Sequence, residues 1–407
     1  MGWVKKIERL DWRDPEIGQV DVPSGKLTLR QGFGSGLAVR PGDPPHHFFA
    51  LGDRGPNIKV RDAMRLYGLH GLAPLNGIPG AKIMPRIDVG PALAQLRIVG
   101  DVVELVLTLP LTSANGQPIT GLPNPASDHL LSEPIFDLEG APIDPDPQGL
   151  DTEGLAATRD GRFWVGDEFG PSLVQLDEAG VVIRRLDPGE RTGKQEAGKL
   201  PAIAAKRQLN RGFEGLALSE DERWLYLAFQ SPLAHPDKAA HRLARHVRIW
   251  RIDLATMEVV AQFAYPLDPP DSFARDAAAG AFDRSDIKVS ELLWLSGDRL
   301  LVLERGSATT KLYLCPLSDA FALNPIHLDV ATRPTLEELS AGPDPFDLPV
   351  LGKALIFSSD EHPAVSRDLE GMVLLSPSEL LLVNDNDFGV EGAVTSFWRL
   401  TLSEPLA

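Results

Sequence analysis

The apolar residues of this chain fall in short, nearly continuous runs. Phe163-Trp164-Val165, Trp224-Leu225-Tyr226-Leu227, Leu300-Leu301-Val302-Leu303 and Leu380-Leu381-Leu382-Val383 each follow a polar turn. The turns are Arg159-Asp160-Gly161, Ser219-Glu220-Asp221-Glu222, Ser296-Gly297-Asp298 and Ser376-Pro377-Ser378. Runs of this length, bounded by turn residues, read as buried strands. Upstream of each turn lies another apolar run, opened by a small motif that is often Glu-Gly-Leu. The repeated unit is therefore strand, tight turn, strand.

Five copies are visible. They begin at Gly34-Ser35-Gly36-Leu37, Thr152-Glu153-Gly154-Leu155, Phe213-Glu214-Gly215-Leu216, Ser290-Glu291-Leu292-Leu293 and Leu369-Glu370-Gly371-Met372. Anchors at 36, 154, 215, 292 and 371 are separated by 118, 61, 77 and 79 residues. The first gap is close to two repeats, and the run from Asp101 to Leu109 supplies strand material inside it. The expected architecture is all-β: a six-bladed β-propeller forming a single domain over 1–407, with blade anchors near 36, 95, 154, 215, 292 and 371. Small antiparallel sheets with two apolar faces cannot cover them alone, and radial stacking does so. Insertions are expected at Arg61 to His70 and Pro236 to His246, both of helical composition, and at the Pro- and Asp-rich stretch Asp268 to Asp286.

Composition narrows the function. Of 407 residues, 40 are Lys or Arg and 57 Asp or Glu, a net charge of −17. Such a field repels a phosphate backbone and argues against nucleic-acid partners. It attracts cations. One cysteine, Cys315, excludes an internal disulfide and a cysteine-based zinc site. No apolar run approaches the roughly 20 residues of a membrane helix, and no membrane partner is expected. The stretch from Met1 to Asp14 has no apolar core of signal-peptide length, which leaves a cytoplasmic protein or one whose export signal has been removed. Oligomeric state is not legible.

The repeats place acids in register. The first strands carry Ser35, Glu153, Glu214, Glu291 and Glu370; the second strands end in Asp53, Asp167-Glu168, Gln230, Glu304 and Asn384 to Asp387. In a propeller, matched positions converge on one axis. Carboxylates so gathered repel, so some stay protonated or bind a cation. An oxygen-only set suits Ca²⁺, and Mg²⁺ less well. Glu153, Glu214, Glu291, Glu370, Asn384 and Asp387 are the candidate metal ligands. Asp167, Glu168 and Asp385 are candidate ligands or general bases. Arg211, Arg305 and Lys311 are candidates to hold a substrate anion, with salt bridges to the channel acids as the competing role. A single Glu-Gly pair is more often a turn; recurrence at one register favours the site. Asp144, Asp146, Gln148 and Gly149 imitate the start of an EF-hand loop, but its twelfth position is Leu155.

The motifs Asp151-Thr152-Glu153-Gly154-Leu155, Phe163 to Pro171, Asn210-Arg211-Gly212-Phe213-Glu214-Gly215, Leu301 to Arg305 and Asn384-Asp385-Asn386-Asp387-Phe388-Gly389 resemble the phytase-like family, named for an esterase-like activity of phytase. The resemblance runs from about Phe33 to Leu400. It implies a β-propeller that cleaves small anionic esters or phosphoesters, from a family often exported in bacteria to the periplasm or beyond. The alternatives are a Ca²⁺-dependent lactonase of gluconolactonase type and a propeller that binds a ligand without catalysis.

Overall fold

The computed structural model describes residues 2–127, 130–188, 199–342 and 347–406. Within them lie five four-stranded antiparallel sheets, each growing outward from one inner strand. The inner strands are Gly36–Ala38, Thr152–Ala157, Phe213–Leu218, Lys288–Leu295 and Leu369–Ser376. They neighbour one another in a closed cycle, first to second and so on to fifth, and fifth back to first. This is a β-propeller with five blades among the described residues.

The expected sixth blade is absent from that ring. Its supposed strand is Val102–Pro110, which pairs with Ala92–Val99; that strand pairs in turn with His47–Leu51. These residues are the outer half of the first blade. Each blade consists of an inner hairpin and an outer one, and only the inner hairpins carry the repeated motif. In the first blade a 40-residue insertion, residues 52–91, parts the two hairpins. The 118-residue gap therefore reflects insertion.

The ring is closed by both chain termini. Val4–Leu10 adds as the outermost strand of the fifth sheet, beside Phe397–Leu402. Apolar faces stack between blades. Phe213, Phe229 and Trp250 meet edge to face at 4.9 to 5.9 Å in the third blade, and all three are fully buried. The predicted insertions appear as helices Val60–Tyr67, Lys238–Leu243 and Ala274–Ala279. The Asp237 side chain caps the second by accepting from the backbone N–H groups of Ala239 and Ala240. A satellite core of Leu27, Leu29, Ile58, Ala63 and Ile83 packs the first helix against the hairpin Glu16–Val22 and Gly25–Arg30.

Near the axis the backbones almost touch. A Cβ at Gly154 would lie 1.7 Å from the Glu214 carbonyl oxygen, and one at Gly215 would lie 2.7 Å from the Leu292 nitrogen. No side chain fits there unless a whole blade moves. Gly154→Ala should therefore destabilise the protein by about 3 kcal/mol or more. Urea unfolding checks this; a midpoint equal to that of the parent would mean the blades can spread.

Candidate functional site

The inner strands are not regular. Between Thr152 opposite Asp167 and Leu155 opposite Val165, the first strand of the second blade carries one residue more than its partner. The third, fourth and fifth blades repeat this bulge at Phe213/Leu216, Val289/Glu291 and Leu369/Gly371. A β-bulge re-aims the extra side chain. By these registers the equivalent residues are Ser35, Glu153, Glu214, Ser290 and Glu370, each followed by Gly36, Gly154, Gly215, Glu291 or Gly371.

Glu291 is thus one place out of the expected register. It occupies the position that is glycine in the other four blades, and a one-residue slip turns a side chain elsewhere. Its carboxyl is wholly buried. It accepts hydrogen bonds from the backbone N–H groups of Leu37 at 3.4 Å, Leu216 at 3.3 Å and Leu292 at 3.0 Å, so it ties three blades together. Burial raises its pKa well above the usual carboxylate value, against the pull of those N–H groups. It is a structural plug, and the expected role as metal ligand is corrected.

The second strands form another ring. Leu37, Leu155, Leu216, Leu292 and Met372 face Ala50, Val165, Leu227, Val302 and Leu382. Three residues further along come Asp53, Glu168, Gln230, Arg305 and Asp385. Carboxyls of the two rings and of Asp151 interact: Asp53 with Asp151 and Asp385, Glu153 with Glu214 and Glu370, and Glu168 with Asp151 and Glu214. One mouth of the channel therefore gathers Asp53, Asp151, Glu153, Glu168, Glu214, Glu370 and Asp385.

The neighbouring residue on each second strand points away and serves the fold. Asp167 is fully buried; it accepts from Arg185 Nη2 at 2.7 Å, Ser172 Oγ at 2.6 Å and the Asp151, Phe169 and Gly170 backbone N–H groups. All its valence is used, so it is no base. Asn384 Oδ1 accepts from Ser396 N–H and its Nδ2 donates to the Asp385 and Val394 carbonyls, fastening the following loop. Asp387 is exposed on that loop. Neither is placed as a ligand.

The basic candidates divide likewise. Arg305 has no exposed surface and is saturated by Glu370, Asp368 at 2.7 Å, Ser290 Oγ at 2.9 Å and the Gly306 carbonyl. Burial opposes its charge, but Glu370 and Asp368 hold its pKa above the ordinary value. It neutralises channel acid, with four of its five N–H donors already engaged. Lys311 lies on the third strand of the fourth blade, bonded to Asp268 at 2.7 Å and Ser272 at 2.6 Å over the Phe273 ring. It is outside the mouth. Arg211 does reach it, between Glu168 and Glu214, and its Nη1 is buried without a partner.

What remains is an uncompensated corner. Carboxylate oxygens of Asp53, Asp151 and Glu153 all lie within 4.8 Å of one another. Asp151 is 2 % exposed, and its Oδ1 has no hydrogen-bond partner. Its Oδ2 lies 3.4 Å from Arg54 Nη1, which also pairs with Glu133. Burial first, then Asp151, raises the Asp53 pKa; burial and Glu214 raise that of Glu153. Burial with Asp151 beside it pushes Glu168 up to about 7. Asp385, at the same mouth, is raised by burial and Asp387, and its Oδ1 is also without a partner. Asp53 stands in the sequence register of acids and Asp151 in a family motif, but neither is among the candidate ligands or bases. Their signal is a position three residues past the pairing partner for Asp53, and the acid two before the bulge for Asp151.

The model of the family described as phytase-like, esterase-like activity of phytase, matches residues 29–388. The chain belongs to this phytase-like family. An uncharacterized secreted protein of Arthroderma benhamiae is 28% identical over 345 residues, covering 72% of this chain and 63% of that one. The chain thus spans 63% of that relative's length. Among solved structures, a luciferin-regenerating enzyme aligns over 97% of this chain and 95% of its own, at 10% identity and a TM-score of 0.37. A PQQ-bound aldose sugar dehydrogenase from Streptomyces coelicolor aligns over 99% and 100%, at 11% identity and a TM-score of 0.35. Neither likeness bears on chemistry.

Two outcomes follow from these positions. Glu291→Ala strands buried N–H groups of three blades and should cost roughly 3 kcal/mol, whereas Ser290→Ala should cost about 1 kcal/mol. Equal losses in urea unfolding would return Glu291 to the ring of acids. Glu168 has a folded pKa above its unfolded one, so its neutral form favours folding. Stability from this group is complete below about pH 4.5 and is lost as pH rises through about 7. Glu168→Gln should flatten that fall in cation-free buffer; an unchanged pH profile would refute the shift.

Proposed function

We propose that this phytase-like chain is a cation-dependent hydrolase of small anionic esters or phosphoesters, acting at the acidic mouth. The observation that carries the reading is the corner of Asp53, Asp151 and Glu153, with oxygens within 4.8 Å and Asp151 Oδ1 buried and unpartnered. Three carboxylates at this spacing repel unless a proton or cation relieves them. The donors are all oxygen, a set that suits Ca²⁺ better than Mg²⁺. A cation held there would polarise a phosphoryl or carbonyl oxygen of the substrate.

The remaining roles belong to the side chains around it. Glu168, with a pKa of about 7, is tuned to accept a proton from an attacking water near neutral pH. Its Oε1 accepts from the Gly212 N–H at 3.3 Å, which fixes its direction. Arg211 Nη1, lacking a partner, is the donor suited to orient the anionic group of the substrate. Glu214, bonded by Gln230 Nε2, and Glu370, paired with Arg305, set the field of the mouth. The secreted relative supports export of this chain as well. No helix among the described residues is long and apolar enough to cross a membrane.

Dialysis against a chelator should abolish turnover of aryl phosphate and aryl ester substrates, and Ca²⁺ should restore it. Asp151→Asn and Glu153→Gln should each weaken Ca²⁺ binding at least tenfold without unfolding, read by calorimetry. Because the ligands must lose protons, and those of Asp53 and Glu153 are held above the ordinary carboxylate range, affinity should rise as pH is raised beyond that range. Undiminished activity without metal would defeat the mechanism. Turnover of lactones alone would move the substrate to that class.

A further inference from the structure

We infer that the opposite end of the propeller channel is a second binding site, a pit for one compact apolar molecule bearing a single anionic group. The inference is independent of the hydrolase reading. The acids sit before the glycines of the inner strands; the residues after the glycines run to the other end of the axis. There a cavity of about 400 Å³ opens, inside the range of roughly 300–1,000 Å³ usual for small-molecule sites.

Its wall comes from all five blades, through Leu37, Leu155, Leu216, Leu293 and Val373, with polar surface exposed among these apolar side chains. Trp294 adds an aromatic flank and Leu374 a half-buried upper edge. Leu293, Trp294 and Leu374 are half-buried there, and theirs is the apolar surface that a ligand can remove from water, at about 25 cal/mol for each Å². The depth is limited from below. Glu291 binds the N–H groups of Leu37 and Leu216, and Gly36, Gly154 and Gly215 press on the adjacent blades. This closes the floor. A pit enclosed on five sides and closed below accepts a compact molecule and has no groove along which a peptide could lie.

The rim supplies the charge. Arg159, Glu220 and Glu222 line it. Glu222 accepts the backbone N–H of Arg159 at 2.7 Å, which joins the turns of the second and third blades. Glu220 is exposed on its turn. The Arg159 guanidinium makes no ion pair among the described residues and is the rim's one cation. A guanidinium fork matches a carboxylate, while two acids beside it disfavour a multiply charged ligand. The rim therefore offers one place for an anionic group, on Arg159 and away from Glu220 and Glu222.

The test uses 2-naphthoate and the neutral 2-naphthalenemethanol in titration calorimetry with the full chain. Naphthoate should bind saturably, one per chain, and more tightly than the alcohol by about tenfold, the lower end of a charge-assisted contact. Arg159→Ala should erase that difference. Leu374→Glu should abolish binding of both probes while its urea midpoint stays near that of the parent. Should Leu374→Glu fail to fold, Trp294→Ala should weaken both probes at least fivefold. No saturable binding of either probe, or naphthoate binding untouched by the wall variants, would overturn the site. Equal affinity for acid and alcohol would overturn its preference for an anion.

Discussion

The structure depends on how closely five inner strands approach a common axis. Backbones at this spacing leave no room for Cβ atoms, so the positions nearest the axis are glycine in four blades. Side chains are displaced up or down the strand, and the bulges before Gly154, Gly215 and Gly371 turn them toward one mouth. A single exception is tolerated, because one carboxyl on the axis can collect N–H groups from several blades at once. Glu291 is that exception. Packing at the axis thus fixes both the location of the acids and the closure of the channel.

Charge at the mouth is settled unevenly. Arg305 covers Glu370, and Arg54 covers Glu133 and part of Asp151. Lys288, whose pKa burial and Arg305 lower to about 8, adds a weakened cation near Glu214 and Glu370. Arg207 is turned toward the Phe169 carbonyl at 2.6 Å. Arg54 acts on Asp53 and Arg305 on Glu153 without closing an ion pair to either, so two shared cations face three converging carboxyls there. A net charge of −17 makes the whole field favour a cation, but the local deficit selects where it would sit. Elsewhere the buried acids are matched: Glu337 receives both Arg248 donors, and Glu304 holds Tyr265 and Lys353. The contrast separates an acid that serves the fold from one that awaits a ligand.

Much of this was legible in the sequence. Continuous apolar runs between turns gave the inner hairpins almost residue for residue, as in Phe163–Asp167 and Glu379–Asn384. Recurrence of Glu-Gly-Leu marked the shared axis, and Glu153, Glu168, Glu214, Glu370, Asp385 and Arg211 do meet at one mouth. Blade number was not legible, since outer strands such as Val102–Pro110 and Val4–Leu10 carry no motif and join blades through pairing over long separations. The misplacements at Asp167, Asn384 and Glu291 share one cause. Side chains on a strand alternate faces, and a bulge adds a residue that alignment by eye cannot see. Each of these three sits one residue from the position that faces the acidic mouth, and that step moved it from the mouth into the fold.

Closure of the channel constrains any chemistry in it. With Glu291 across the axis and glycine backbones packed around it, nothing passes from one end to the other. Whatever enters the acidic mouth must leave by it. The end beyond the plug is walled by leucine and valine side chains and meets solvent separately. The inner strands run through both ends, so each side chain's place before or after the glycine decides which environment it joins. The bulge before the axis position in blades two to five therefore sorts acids from apolar residues, and the same five strands build two different surfaces at the two ends.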